Sequence, residues 1–251
     1  MRDLSPTADV EGAFVDTVRA AFAARPNERF VLVLSGGPTA RRCYERLSAA
    51  DDVEWPMVDV YVGDERFVPA DDPDANQRLI RESLIDPVGG VGSFVPMPTG
   101  LGDATACAAA YQEVIAGVLA GSGIDVIHLG MGTDGHTASL FAGAPALDAG
   151  PNELVVATDD PNGRNPHPRL TVTLPVIDRA RLAVFTVAGE SKQDAVAKLR
   201  AGVDLPAARV RSADVRWLID AAAVGDGVAD DGTAGAGAAG AGAAGDTTGV
   251  G

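Results

Sequence analysis

Short, predominantly apolar runs alternate along this chain with longer stretches whose apolar residues recur at helical spacing, and no other feature restricts its fold as much. FVLVLS at 30–35, VDVYV at 58–62, IDVIHL at 124–129, RLTVTL at 169–174 and RLAVFTV at 181–187 read as strands, because runs of this length and apolarity suit strands buried on both faces. ADVEGAFVDTVRAAFAAR at 8–25, PTARRCYERLSAA at 38–50, DANQRLIRESLI at 74–85, DATACAAAYQEVIAGVLA at 103–120 and ESKQDAVAKLR at 190–200 read as helices, the second with Pro38 at a first helical position. Strands that alternate with helices require crossover connections, so the expected class is α/β with a mainly parallel sheet covered on both faces. Such sheets bind ligands beyond the carboxyl ends of their strands. The polar clusters of this chain fall there.

Composition narrows the function classes. With 251 residues, 46% of them hydrophobic and 22% charged, the chain has the make-up of an ordinary globular protein. No apolar run approaches the roughly 18 to 20 residues that span a bilayer. The opening MRDLSPTADVEGAF lacks the apolar core of a signal peptide, so a cytoplasmic location without a membrane partner is expected. A formal net charge of −15 opposes a nucleic-acid partner, which needs clustered Lys and Arg. Lys192 and Lys198 are the only lysines, and aspartate outnumbers glutamate. Such an acidic surface is expected to suit high salt, where a Debye length of about 3 Å at 1 M screens self-repulsion. Cys43 and Cys107 lack metal or redox spacing and are expected to be buried free thiols. Residues 1–224 are expected to form one domain. The segment 225–251, GDGVADDGTAGAGAAGAGAAGDTTGVG, has too few large apolar side chains to offset the entropy of ordering and is expected to be a disordered tail.

Three blocks carry chemistry. SGGPT at 35–39 follows a strand and opens a helix, where Ser35, Gly36, Gly37 and Thr39 suit a phosphate through close backbone approach, free amides and the positive end of the helix dipole. A tight turn alone also explains the glycines. GDERFVP at 63–69 puts Asp64, Glu65 and Arg66 at the end of a strand, with Arg66 suited to an oxyanion or phosphate and the carboxylates to sugar hydroxyls. Asn76 and Arg78 follow near a helix start and are further binding candidates. GTDGHT at 132–137 sets Asp134 two residues before His136, with Gly135 between them and a helix expected to begin near Thr137. A histidine at a strand's carboxyl end is placed to act as a base. Arg169, at a strand start, and Lys192, at a helix opening, are candidate phosphate ligands. The three histidines have no close Cys or Glu partners, so no metal site is expected, and no G-x-S-x-G elbow is present.

SGG, GDERFVP, LGMGTDGHTASLF, RLTVTL and the GESKQD block, in this order and spacing from about Ala8 to Ala223, resemble the 6-phosphogluconolactonases. The resemblance implies a three-layer αβα sandwich with a Rossmann-like sheet, similar to sugar-phosphate isomerases and deaminases. It also implies hydrolysis of 6-phosphoglucono-δ-lactone to 6-phosphogluconate, in the oxidative pentose phosphate pathway, without cofactor or metal. Where the family usually reads SGGSTP this chain reads SGGPTA, so Pro38 removes one amide donor and one hydroxyl from the presumed phosphate loop.

On this reading His136 takes a proton from water, Asp134 assists it, and Arg66 with backbone amides stabilises the oxyanion. The partner is a small sugar-phosphate lactone, and the assembly a monomer or small homo-oligomer. A glucosamine-6-phosphate deaminase or related isomerase is the rival enzyme, and a non-catalytic sugar-phosphate sensor the rival of another class.

Overall fold

The computed structural model describes residues 2–225. The tail expected at 225–251 lies outside the described residues apart from Gly225. The strands are β1 (Phe30–Leu34), β2 (Val58–Val62), β3 (Asp64–Arg66), β4 (Ser93–Val95), β5 (Ile124–Gly130), β6 (Val155–Thr158), β7 (Arg169–Val172), β8 (Ala180–Val187) and β9 (Asp214–Ile219). The α-helices are α1 (Val10–Ala23), α2 (Pro38–Leu47), α3 (Asn76–Ile80), α4 (Ala104–Ala120), α5 (Leu174–Ile177), α6 (Gln193–Arg200) and α7 (Ala221–Val224).

Six strands form one parallel sheet in the order β4-β2-β1-β5-β8-β9. The chain builds outward from β1 to β2 and β4, then crosses back to lay β5, β8 and β9 on the other side of β1. The order therefore reverses between β1 and β5, and the loops leaving these two strands diverge to open a crevice. Every residue of β1 is buried, as its continuous apolar run requires.

Helices cover the sheet. Asp9 caps α1 by accepting from the Gly12 amide at 2.9 Å, and Asp103 caps α4 through the Ala106 amide at 2.8 Å. α1 and α2 pack together, and Phe14 of α1 brings its ring centroid to 4.5 Å from that of His128 on β5. α4 joins β2 to the second layer: the Tyr111 hydroxyl accepts from the Val62 amide at 3.0 Å, while the helix packs on β6 and β7. Both cysteines are buried free thiols, and burial pushes the Cys43 thiol up to about 12. Among the described residues, no helix is long and apolar enough to cross a membrane.

Three expectations are corrected. Residues 64–66 do not merely end β2. Gly63 donates to the Leu34 carbonyl at 2.8 Å and accepts from the Val172 amide at 2.9 Å, which turns the chain out of the parallel sheet into a second, antiparallel sheet, β3-β7-β6. RLTVTL supplies β7 to that small sheet rather than a strand to the large one. No helix begins at Thr137: the segment from Met131 to Ala144 is a chain of turns, with Ala138 at φ +47°.

Candidate active site

Three loops at the carboxyl ends of β1, β2 and β5 meet in a cleft of about 390 Å³. The β1 loop is pinned at its start. The Ser35 hydroxyl donates to the His128 carbonyl on β5 at 2.6 Å, so its proton is already used. Gly37 adopts φ +107° and serves as the N-cap of α2, with Pro38 next. The first intrahelical bond runs from the Arg41 amide to the Gly37 carbonyl at 3.0 Å. The Thr39 and Ala40 amides therefore precede any carbonyl the helix offers them, and both residues line the cleft. Pro38 occupies a position where an amide would lack a helical partner in any case. Gly36 has no room for a side chain: a Cβ there would lie 1.7 Å from Asn76 Oδ1.

The small sheet supplies the second wall. Residues of a strand alternate faces, so Asp64 and Arg66 share one face of β3 and Glu65 takes the other. Arg66 lies directly opposite Arg169 in the β3–β7 register. Arg66 donates to the Asp74 carbonyl at 2.6 Å and Arg169 to Asn165 Oδ1 at 3.1 Å, while the Nε atoms of both are buried without partners among the described residues. Burial, and next the Arg66 charge, lower the Arg169 pKa against the pull of Asp64 and Glu65. Asp64 accepts from the Ser139 hydroxyl at 2.7 Å, and Asn76 Nδ2 donates to the Asp64 carbonyl at 2.6 Å. The Asn76 Oδ1 atom is buried beside the cleft without a partner among the described residues.

The third wall is the β5 loop. The Gly132 amide donates to the His136 carbonyl at 2.8 Å and the Gly135 amide to the Gly132 carbonyl at 3.0 Å, a tight reversal that requires Gly135 at φ +85°. A Cβ on Gly132 would stand 2.1 Å from His136 Nδ1. This reversal brings His136 Nδ1 to 2.6 Å from Asp134 Oδ1, which also accepts from the His136 amide at 3.1 Å. The imidazole contact, above all, holds the Asp134 carboxyl down to about 2. An ionised Asp134 accepts from Nδ1–H and leaves Nε2 as the basic nitrogen of the ring. Phe141 packs against the imidazole, ring centroids 4.7 Å apart. Lys192 lines the same cleft, its pKa lowered by burial and partly restored by the charge of Asp134.

The structure thus brings Ser35, Gly36, Gly37, Thr39, Asp64, Arg66, Asn76, His136, Arg169 and Lys192 to one cleft, with Asp134 behind His136. Three expected ligands lie elsewhere. Glu65 is fully buried on the far face of β3, where it accepts from the amides of Arg66, Asn76 and Gln77 at 2.8, 2.7 and 2.8 Å. Burial nevertheless pushes its carboxyl up to about 7. Arg78 points away and pairs with Glu82 at 2.7 Å. Gly135 shapes the turn instead of lining the cleft, its Cα facing Leu205. Sequence reading missed Asn165, which lines the cleft from a loop organised by Asp160: this carboxylate accepts from the amides of Asn162, Arg164 and Asn165. An Asp followed by Asn-Gly and a second Asn was the available signal. Thr186 and His128 also reach the cleft, from within strands that read only as apolar.

Residues 6–219 match the family model described as glucosamine-6-phosphate isomerases/6-phosphogluconolactonase. The chain belongs to this family. It is 38% identical over 218 residues to a 6-phosphogluconolactonase of Synechocystis, spanning 82% of this chain and 88% of that protein. A 6-phosphogluconolactonase of Mycobacterium tuberculosis is 38% identical over 223 residues, covering 83% of this chain and 89% of the relative. Among solved structures, the 6-phosphogluconolactonase of Leishmania guyanensis superposes with a TM-score of 0.76 at 26% identity, covering 90% of this chain and all 100% of its own. A monomeric glucosamine-6-phosphate deaminase shares the fold, with a TM-score of 0.70 at 21% identity. The expected family and the α/β class with its mainly parallel sheet therefore hold.

Proposed function

We propose that this family member hydrolyses 6-phospho-D-glucono-1,5-lactone to 6-phospho-D-gluconate, with His136 activating the water. The names of the relatives, at 34–38% identity over most of the chain, support the reaction. The 2.6 Å contact between His136 Nδ1 and Asp134 Oδ1 carries the mechanism. The amides of Thr39 and Ala40 at the start of α2, together with Arg169 and Lys192, hold the phosphate. Nε2 of His136 takes a proton from water as the water oxygen bonds to the lactone carbonyl carbon. Arg66 stabilises the oxyanion, and such a placed donor is worth roughly 3 to 4 kcal/mol. Collapse of the intermediate breaks the bond to the ring oxygen, which receives the proton back from Nε2. Asp134 keeps Nδ1 protonated throughout.

A coupled assay on freshly generated lactone tests the reading: hydrolysis well above the spontaneous rate, lost in His136→Ala, is expected. No acceleration by the wild-type chain overturns it. The deaminase reading is favoured instead if glucosamine 6-phosphate releases ammonia.

A further inference from the structure

His128 is a histidine that the mechanism above does not use, and its surroundings fix its protonation pattern. Its ring is 1% exposed, and burial drives it down to about 3, so it is neutral. Nδ1 lies 2.7 Å from the Tyr44 hydroxyl, and Nε2 lies 2.8 Å from Thr186 Oγ1. The Tyr44 hydroxyl has two further contacts: it accepts from the Ser35 amide at 2.9 Å and donates to the Ser35 carbonyl at 2.9 Å. A phenol carries one proton. With that proton given to Ser35, the contact to His128 is satisfied only if Nδ1–H donates to the phenol oxygen. Nε2 is then bare and must accept, so the Thr186 hydroxyl donates downward to it. The opposite tautomer takes the phenol proton away from the Ser35 carbonyl and leaves a buried acceptor short.

The direction of this chain matters at its upper end. Thr186 is 4% exposed, sits on β8 and lines the same cleft as the β1 loop and Lys192. Its proton is committed to His128, and the Cys43 thiol also contacts it, so any hydrogen bond that it forms with a ligand is one its oxygen accepts. The same cleft holds donors that suit a phosphate, Arg66, Arg169 and Lys192, and acceptors that suit sugar hydroxyls, the Asp64 carboxylate and Asn76 Oδ1, to which the Thr186 oxygen adds one from β8.

We propose that Thr186 is a substrate-binding residue whose hydroxyl oxygen, oriented by the Tyr44–His128 pair, accepts a hydrogen bond from a hydroxyl of the bound sugar phosphate. The inference rests on the lactonase reading for the identity of the sugar. His128 is a positioning residue that acts through Thr186.

The test compares two probes, 6-phosphogluconate and inorganic phosphate, by calorimetry or competitive inhibition. Thr186→Val, which keeps the shape and loses the oxygen, is expected to weaken 6-phosphogluconate roughly 3- to 10-fold and leave inorganic phosphate unchanged. Thr186→Ser is expected to stay within about twofold of wild type for both probes. Equal weakening of both probes, or of neither, overturns the proposal. A long-range proton–nitrogen spectrum of the wild-type chain, independent of any variant's folding, is expected to show His128 protonated at Nδ1 and bare at Nε2; the reverse pattern also overturns it. Wild-type turnover of the lactone is measured separately. Its absence defeats the reading of the reaction while the binding comparison still decides the role of Thr186, and a wild-type chain that does not bind 6-phosphogluconate defeats both.

Discussion

Arg66 and Arg169 stand opposite each other on adjacent antiparallel strands, two guanidinium groups on one face, each with a buried Nε that has no partner among the described residues. Like charges so placed repel, and an anion between them removes the repulsion. Ligand should therefore stabilise the fold by mass action. 6-Phosphogluconate is expected to raise Tm in a concentration-dependent way. In Arg169→Ala the ligand-free Tm is expected to hold while KM rises roughly 10- to 100-fold, the range of a lost charge-assisted bond. An unchanged KM with the same kcat would remove Arg169 from the phosphate site.

Asp134→Asn tests the histidine's orientation without removing the base. An amide can present either its oxygen or its nitrogen to Nδ1, so the tautomer with Nε2 bare is no longer enforced. The expected result is a fall in kcat of roughly 10²- to 10⁴-fold with KM little changed. Because the carboxyl of Asp134 is held down to about 2, its stabilising charge is complete above about pH 4 and is lost only as pH falls through 2. Activity between about pH 5 and 9 is thus expected to carry no titration of Asp134. A kcat within about threefold of wild type would assign the orienting role elsewhere.

Glu65 offers a pH signature of its own. Its folded-state pKa, raised to about 7 from 4.5 by burial, means that the protonated form favours the native state. That contribution is complete below pH 4.5 and disappears as pH rises through about 7. Glu65→Gln cannot titrate, so the Tm of the wild type relative to this variant is expected to decline between about pH 5 and 8. A constant difference across that range would show that the three amides hold Glu65 ionised throughout. The substitution also sets a side-chain NH₂ against one of these amide donors, at a cost of about 1 to 3 kcal/mol.

Much of this site was legible because the strands and helices announce themselves. A run such as FVLVL can only be a strand buried on both faces, and the turn after it must then lie at the ligand-binding edge of a parallel sheet. The cluster GTDGHT was legible for the same reason, although the helix expected after it does not form: Gly132 and Gly135 allow a reversal too tight for a helical turn to follow. Glu65 was misplaced because three charged residues in a row at a strand end were all read as facing the ligand, whereas a strand of three residues sends its middle member to the opposite face. Arg78 was misplaced because an arginine and a glutamate four apart on a helix satisfy each other at the surface. Asn165 and Thr186 escaped notice because loop folding and hydroxyl direction are set by contacts distant in sequence.

Salt dependence separates surface chemistry from site chemistry. Exposed pairs such as Arg19–Asp52 and Arg46–Asp9 contribute little each, while carboxylates exceed cations by a net charge of 15. Screening of that excess should outweigh the weakening of the pairs. Tm is expected to rise from low to molar KCl. A flat or falling Tm would refer the scarcity of lysine to something other than salt.

The strand order of the large sheet also sets when the cleft comes into existence during synthesis. Once β4 has left the ribosome, β1, β2 and β4 can associate into half a sheet, with the loop at Gly36 and Gly37 already formed but the far edge of β1 bare. That edge waits for β5, and the pocket waits longer still, for Arg169 on β7 and Lys192 beyond β8. On the proposed assignment of the phosphate ligands, no shorter nascent product can grip a sugar phosphate, so premature fragments are expected to be catalytically silent while they carry an apolar strand edge that a chaperone would recognise.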